Sequence, residues 1–269
     1  MNSFGKEAFD MKSPNQNSSR QTPKNQDKYT FSRFVIGECN AKASQSALLA
    51  AEDSCFPYNP LTIYGITGSG KTHLLKAIEN HIMRSPRNRK VLRIDAEAFY
   101  SEHLNSIRKK SIDQFKAKYF RSDVLLIDDL QFLQKKVTTQ EVLLEIFDNL
   151  MKANKQIIFT SDRSFLEYVD IHPDFRRCLE GGLLIEINSP ILDVKNKILM
   201  GLSDTSGIYL PEEVLEYMAM QASSDIGIIE SNFNKVVAYG RIYGKTISID
   251  IAKKCLPDYK LDHESNEDT

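Results

Sequence analysis

Residues 65–72 read Gly-Ile-Thr-Gly-Ser-Gly-Lys-Thr, and they fit the pattern G-x-x-x-x-G-K-[ST] at every fixed position. The apolar run 61–65 before the stretch predicts a strand, and residues 72–81 after it have helical periodicity. In this setting the glycines let consecutive backbone N–H groups face phosphate oxygens, and the helix dipole adds positive potential. The alternative is a glycine-rich turn that matches the pattern by chance. Such a turn would not require a strand before it and a helix after it, so this setting favours a phosphate loop. We therefore expect a phosphate-binding loop made of Gly65, Ile66, Thr67, Gly68, Ser69, Gly70, Lys71 and Thr72.

Residues 124–129 read Val-Leu-Leu-Ile-Asp-Asp, which is typical of a fully buried strand that ends in two carboxylates. Beside a phosphate loop, Lys71 would reach the terminal phosphates of ATP, and the Thr72 hydroxyl would ligate Mg²⁺. Asp128 would hold the metal ion through its water shell, and Asp129 would orient or deprotonate the attacking water. An acidic helix cap after a strand is the alternative. The phosphate loop upstream favours a site for a nucleoside triphosphate with Mg²⁺.

The next strand also ends in polar residues, since residues 160–163 read Thr-Ser-Asp-Arg. Parallel strands bring their carboxyl ends to one edge of the sheet, so a side chain here can reach the terminal phosphate or the attacking water. Asp162 is the candidate for this catalytic role. An ordinary strand-end turn explains the same residues equally well, and the sequence leaves the two alternatives open.

Strand and helix patterns alternate up to residue 188, which predicts an α/β fold with a parallel sheet covered by helices on both faces. Residues 97–119 read as helical within this part. After Pro190 only helical patterns follow, over residues 192–202, 211–221, 226–239 and 248–255. The expected organisation is a disordered tail (1–28), an α/β subdomain (29–188), a small all-α lid (189–258) and an acidic tail (259–269).

Composition excludes several classes of protein. The chain has 35 Lys and Arg residues and 36 Asp and Glu residues, which give a net charge of −1. This charge excludes the class of highly basic proteins that bind DNA through their overall positive charge. No apolar run approaches the roughly 20 residues that a membrane helix needs. The four cysteines are scattered without metal-ligand spacing, which argues against a disulfide framework or a zinc site. We expect a cytoplasmic protein with no membrane span.

Several motifs together carry a resemblance to a known family. Tyr-Asn-Pro-Leu at 58–61, Gly-Lys-Thr-His-Leu-Leu at 70–75 and Leu-Leu-Ile-Asp-Asp-Leu-Gln-Phe-Leu at 125–133 resemble the AAA+ ATPase domain of the bacterial replication initiator DnaA. The similarity runs over about residues 29–258. It implies the P-loop AAA+ fold, His73 as a further nucleotide-binding residue, and ATP-dependent assembly with like subunits or a full-length initiator at a replication origin. It also implies contact with single-stranded DNA at Arg108, Lys109 and Lys110, for which a solvated helix face is the alternative.

The chain departs from the family's pattern at positions that bear on function. Cys178 stands where the family has the arginine finger, and Arg177 is one residue earlier, a turn of about 100° on a helix. Gly227 stands where the family's lid has an arginine that contacts phosphates. The family's C-terminal helix-turn-helix domain has no counterpart in the sequence, so we expect no sequence-specific binding of duplex DNA.

The resemblance and the departures lead to a ranked set of hypotheses. The first is a DnaA-like ATP-binding protein that acts in replication initiation or its regulation by assembling with initiator subunits. The second is a negative regulator that promotes ATP hydrolysis by the initiator. The third is a DNA-stimulated ATPase or helicase loader. The last is a vestigial module without activity, and the intact phosphate loop argues against this last hypothesis. We expect tight binding of Mg-ATP and, because a trans-acting arginine is worth about 10³–10⁵ in rate, very slow turnover.

Overall fold

The computed structural model describes residues 28–52 and 57–256 of the chain. The two predicted tails, residues 1–28 and 259–269, lie outside these ranges apart from Lys28.

Five parallel strands form the central sheet: β1 (Leu61–Tyr64), β2 (Val91–Asp95), β3 (Val124–Asp128), β4 (Gln156–Ser161) and β5 (Leu183–Glu186). Their spatial order is β2-β3-β4-β1-β5. The registers place Tyr64 beside Ser161 and Asp95 beside Asp128, so the carboxyl ends of these strands meet at one edge. Every residue of β3 and β4 is buried, as expected for central strands of a parallel sheet that is covered on both faces.

Six helices cover the two faces of the sheet: α1 (Ala41–Glu52), α2 (Lys71–Arg84), α3 (Ala96–Arg108), α4 (Ile112–Phe120), α5 (Val137–Lys152) and α6 (Pro173–Glu180). The first two helices share one hydrophobic cluster with the sheet, and the other four share a second cluster. The prediction of an α/β sandwich is therefore confirmed.

The helical prediction over residues 97–119 is confirmed apart from one break. The structure has two helices, α3 and α4, because the backbone leaves the helical conformation at Lys110, whose φ is +53°. The Ser111 N–H donates to the Ser106 carbonyl at 2.8 Å, and the Lys110 N–H donates to the Ile107 carbonyl at 3.1 Å. These two bonds form the Schellman motif that ends many helices. The motif usually has glycine at the left-handed position, so a lysine there gave no sequence signal of a break.

The rest of the described chain is helical. It contains α7 (Leu192–Ser206), α8 (Glu212–Gln221), α9 (Ile226–Tyr243) and α10 (Ile249–Cys255), which pack around a third hydrophobic cluster of their own. Gly207 and Gly244, with φ of +65° and +59°, end α7 and α9. A group of helices after the α/β part is thus confirmed, and the boundary at residue 189 stays a prediction. Within residues 28–52 and 57–256, no helix has the length and apolar character that crossing a membrane requires.

Candidate nucleotide-binding site

The predicted phosphate loop joins β1 to α2 at the carboxyl edge of the sheet. Gly68 and Gly70 have φ of +76° and +101°, a backbone region that other residues adopt only under strain. Both glycines also lie against neighbouring segments. A Cβ on Gly70 would lie 3.0 Å from a ring carbon of Phe34, and a Cβ on Gly68 would lie 2.1 Å from Oδ1 of Asp225. The two positions therefore require glycine for conformation and for close approach.

Lys71 lies inside the loop, with only 6% of its surface exposed. Its Nζ donates to the carbonyl oxygens of Gly65 at 2.7 Å and Ile66 at 2.8 Å. Burial lowers the pKa of this ammonium group, and the carboxylates of Asp129, Asp128, Asp162 and Asp225 partly oppose the shift. The loop thus presents a buried cation at the place where the sequence predicts the terminal phosphates.

Asp128 and Thr72, the two predicted metal ligands, lie together. Asp128 is buried at the end of β3, where it accepts a hydrogen bond from the Thr160 hydroxyl and lies near the Thr72 hydroxyl. Burial raises the pKa of Asp128, and the two hydroxyls act in the opposite direction. Carboxylate and hydroxyl oxygens beside a phosphate loop are the donors that Mg²⁺ prefers. The residues present therefore fit the predicted metal ion.

Asp129 has a left-handed backbone, with φ of +58° and ψ of +52°. Its N–H donates to Thr160 Oγ1 at 3.0 Å, and its Oδ1 accepts from the Gln131 side chain at 2.9 Å. Gln131 also accepts from the N–H of Asp162 at 3.1 Å, so it links the ends of β3 and β4. Sequence patterns indicated no role for Gln131 and no anchoring role for Thr160. Their only signal was position, one inside the Asp-Asp-Leu-Gln motif and one at a strand end.

The Asp162 side chain lies at the same edge of the sheet and forms an ion pair with the next residue. Its two carboxylate oxygens accept from Nε and Nη2 of Arg163 at 3.2 and 3.0 Å. This pairing fits the strand-end turn as well as a role at the terminal phosphate. The catalytic role of Asp162 stays a prediction.

His73 follows the loop in α2 and contacts the segment before α1. Its Nε2 lies 3.0 Å from the carbonyl oxygen of Thr30, and its ring makes edge contacts with Tyr29 and Phe34. Burial lowers the pKa of this histidine. Because Phe34 also touches Gly70, His73 ties residues 29–34 to the phosphate loop, and a direct contact of His73 with nucleotide stays a prediction.

The finger region lies on α6. Arg177, the displaced finger candidate, has 76% of its side chain exposed and pairs with Asp174 at 2.7 Å. Cys178 is partly buried against the core cluster of α3–α6, and burial raises the pKa of its thiol. Arg176 donates to the carbonyl oxygens of Leu166 and Tyr168. Of these three residues, Arg177 is the one whose side chain extends from the surface.

The cations predicted to contact single-stranded DNA lie apart from the phosphate loop. Arg108, Lys109 and Lys110 are all exposed at the carboxyl end of α3. That helix starts at Ala96, directly after β2, and its 13 residues place the cations about 18 Å along its axis from the sheet edge. The cluster forms a local positive surface on a nearly neutral chain.

The chain is similar to known proteins over most of its length. Residues 25–186 match the family model of the bacterial DnaA ATPase domain. The replication initiator DnaA of Roseiflexus castenholzii is 36% identical over 231 residues, which are 86% of this chain and 48% of that protein. The chain thus spans about half the length of that curated relative.

Two solved structures are also similar. Domain III of Thermotoga maritima DnaA superposes with a TM-score of 0.81 at 31% identity, covering 86% of this chain and 97% of that one. A DnaA bound to AMPPCP and single-stranded DNA gives a TM-score of 0.75 at 32% identity, covering 82% of this chain and 67% of that one.

Proposed function

The chain belongs to the family of bacterial DnaA ATPase domains, and on this premise we propose that it binds Mg-ATP at residues 65–72 and acts in replication initiation or its control. One observation supports nucleotide binding most directly. The buried Lys71 and the neighbouring side chains of Thr72 and Asp128 lie at the same edge of the sheet. A relative of the same fold was solved with the ATP analogue AMPPCP. Thr72 and Asp128 would hold Mg²⁺, which neutralises phosphate charge when bound.

Hydrolysis by the isolated chain is expected to be very slow. Hydrogen bonds with Thr160 and Gln131 hold Asp129, and its proposed role is to orient the attacking water. The cationic groups that would stabilise the transition state are missing from their usual positions, since Cys178 and Gly227 occupy them. We infer that ATP serves mainly to control assembly, because binding requires only the loop and the metal ligands.

Assembly with initiator subunits, either copies of this chain or a full-length initiator, is the proposed use of the bound nucleotide. A relative was solved with single-stranded DNA as well as nucleotide. In this chain, the exposed cations Arg108, Lys109 and Lys110 offer a local surface for phosphates of single-stranded DNA. The proposed assembly would align these surfaces along one strand.

Sedimentation velocity tests this function. The chain should sediment faster with Mg-AMPPCP and a single-stranded oligonucleotide than with Mg-ADP and the same oligonucleotide. Alanine at Arg108, Lys109 and Lys110 should weaken the oligonucleotide effect, while alanine at the exposed Lys152 in α5 should not. Identical sedimentation with both nucleotides, in the presence and absence of a full-length initiator, would contradict nucleotide-dependent assembly.

Arg177 favours a second candidate function, the promotion of ATP hydrolysis by a full-length initiator. Its exposed guanidinium is available to a neighbouring subunit, as an arginine finger supplied in trans must be. ATP hydrolysis by the initiator, measured with and without this chain, separates the two functions. Acceleration supports the regulator, and an unchanged rate restricts the chain to assembly.

A further inference from the structure

The first turn of α9 lies directly against the phosphate loop. The N–H of Ile226 donates to the carbonyl oxygen of Gly68 at 2.9 Å. Asp225 precedes it as the helix cap, and its Oδ1 accepts from the Gly227 N–H at 2.7 Å. A Cβ on Gly68 would lie 2.1 Å from that Oδ1 and 2.7 Å from the Asp225 Cα. The lid therefore places a carboxylate in van der Waals contact with the loop.

This carboxylate adds negative charge where phosphates are expected to bind. Asp225 acts electrostatically on Lys71, as do Asp128, Asp129 and Asp162. Asp128 lies beside the expected metal ion, and Asp162 is paired with Arg163. Within the part of the chain that the structure describes, Asp225 has no ion pair. Gly227, two residues later, contributes no side chain that could offset the charge.

We propose that Asp225 is a specificity-determining residue that weakens binding of a nucleoside triphosphate relative to a diphosphate. This inference rests on the proposed nucleotide binding at residues 65–72. A triphosphate carries one more negative charge than a diphosphate, so the same carboxylate repels it more strongly. Asp225 also acts electrostatically on Lys71, so its charge opposes the attraction that this lysine exerts on the terminal phosphates.

Asp225→Asn is the direct test, because asparagine caps a helix as well as aspartate and removes only the charge. Competition against a fluorescent nucleotide gives the Kd values of Mg-ATP and Mg-ADP for each variant. We expect the ratio of the ATP Kd to the ADP Kd to fall about fivefold or more in Asp225→Asn. This decrease in the Kd ratio should be smaller at 1 M salt, because the Debye length there is about 3 Å. A purely structural effect of the substitution would not depend on salt in this way.

The matched control is Asp204→Asn, which removes the same charge from an exposed position on the lid helix α7. Its Kd ratio should equal that of the original chain. Gly227→Lys is a second test, which adds a positive charge and keeps Asp225 unchanged. A Cβ at Gly227 would contact Asp225, with Oδ1 at 3.0 Å. The added ammonium should lower the ratio as well.

The outcomes separate this inference from the proposed function. If both nucleotides bind and Asp225→Asn leaves their Kd ratio unchanged, or tightens both equally, the specificity role is overturned and nucleotide binding stands. If neither nucleotide binds the original chain, the proposed function and this inference are both overturned.

Discussion

Thr160 connects the groups at the centre of the site. Its hydroxyl donates to the Asp128 carboxylate and accepts from the Asp129 N–H, so one buried side chain at the end of β4 positions both acidic residues at the end of β3. Thr160 and Asp128 are nearly inaccessible to solvent, and Asp129 is partly exposed. Water cannot replace these bonds, and the acidic pair is therefore held before any ligand arrives.

Asp128→Asn tests the cost of the buried charge. The pKa of Asp128 is raised in the folded chain, so the ionised carboxylate lowers stability above that pKa, and the penalty disappears as the pH falls through it. Without Mg²⁺ or nucleotide, the asparagine variant should unfold a few degrees higher than the original chain at pH 7.5. The difference should narrow towards pH 4. A lower midpoint for the variant at pH 7.5 would contradict the destabilising charge.

Arg177→Ala should affect ATP hydrolysis, whereas Arg176→Ala should affect stability. Arg177 extends into solvent, so its removal should leave the unfolding midpoint unchanged. The rate of ATP hydrolysis in the assembled state should fall at least about tenfold. This is less than the roughly 10³-fold loss expected on removal of a well-placed arginine finger. Arg176 donates to two backbone carbonyls, so its removal should lower the midpoint. Calorimetry and a steady-state hydrolysis assay measure the two effects. Unchanged hydrolysis in Arg177→Ala would exclude it as the displaced finger.

At the scale of elements, the turn between α3 and α4 holds Lys110 in a left-handed backbone conformation. A non-glycine residue there costs about 1–2 kcal/mol, and glycine loses roughly 0.5–1 kcal/mol in chain entropy. Lys110→Gly should therefore raise the free energy of unfolding in urea by about 0.5–1 kcal/mol. The same change should weaken binding of a single-stranded oligonucleotide, measured by fluorescence anisotropy, because one exposed cation is removed.

Lys152→Gly is the control for that variant. Lys152 is the last residue of α5 and has the same charge, but glycine in a right-handed helix lowers stability by up to about 1 kcal/mol. It should leave oligonucleotide binding unchanged. Equal DNA affinity for Lys110→Gly and the original chain would remove Lys110 from the proposed DNA surface.

The sheet and most of its helices could be predicted because each has a strong local pattern. The apolar runs of β3 and β4 and the glycines of the phosphate loop are signals contained in a few neighbouring residues. The break at Lys110 and the bridge made by Gln131 depend on hydrogen bonds that form only after folding. The contact of Asp225 with Gly68 joins residues far apart in the chain, so no local pattern could reveal it.

At the scale of the whole molecule, three hydrophobic clusters support a sheet with two covered faces and a helical lid. The lid touches the phosphate loop through the Ile226–Gly68 hydrogen bond and the Asp225 carboxylate. A nucleotide bound at the loop would contact both parts, so it should stabilise them together. At 100 times its Kd, Mg-ATP should add about 2.7 kcal/mol to the free energy of unfolding. A thermal shift series in Mg-ATP measures this gain, and a midpoint independent of concentration would contradict it.

The near-neutral charge of the chain has a consequence at the same scale. Because the net charge is −1, the proposed DNA binding would have to use the local cations at residues 108–110. Three phosphate contacts give a slope of about −2 for log K against log salt on a single strand. A much steeper slope would place more of the chain in contact with DNA.

Titration calorimetry with Mg-ATP tests the central claim most directly. The original chain and Lys42→Ala, which changes an exposed lysine in α1, should each bind one Mg-ATP with the same Kd. Lys71→Ala should bind it at least about 100-fold more weakly, because the loop loses its buried cation. Equal affinities for the original chain and Lys71→Ala would contradict nucleotide binding at residues 65–72.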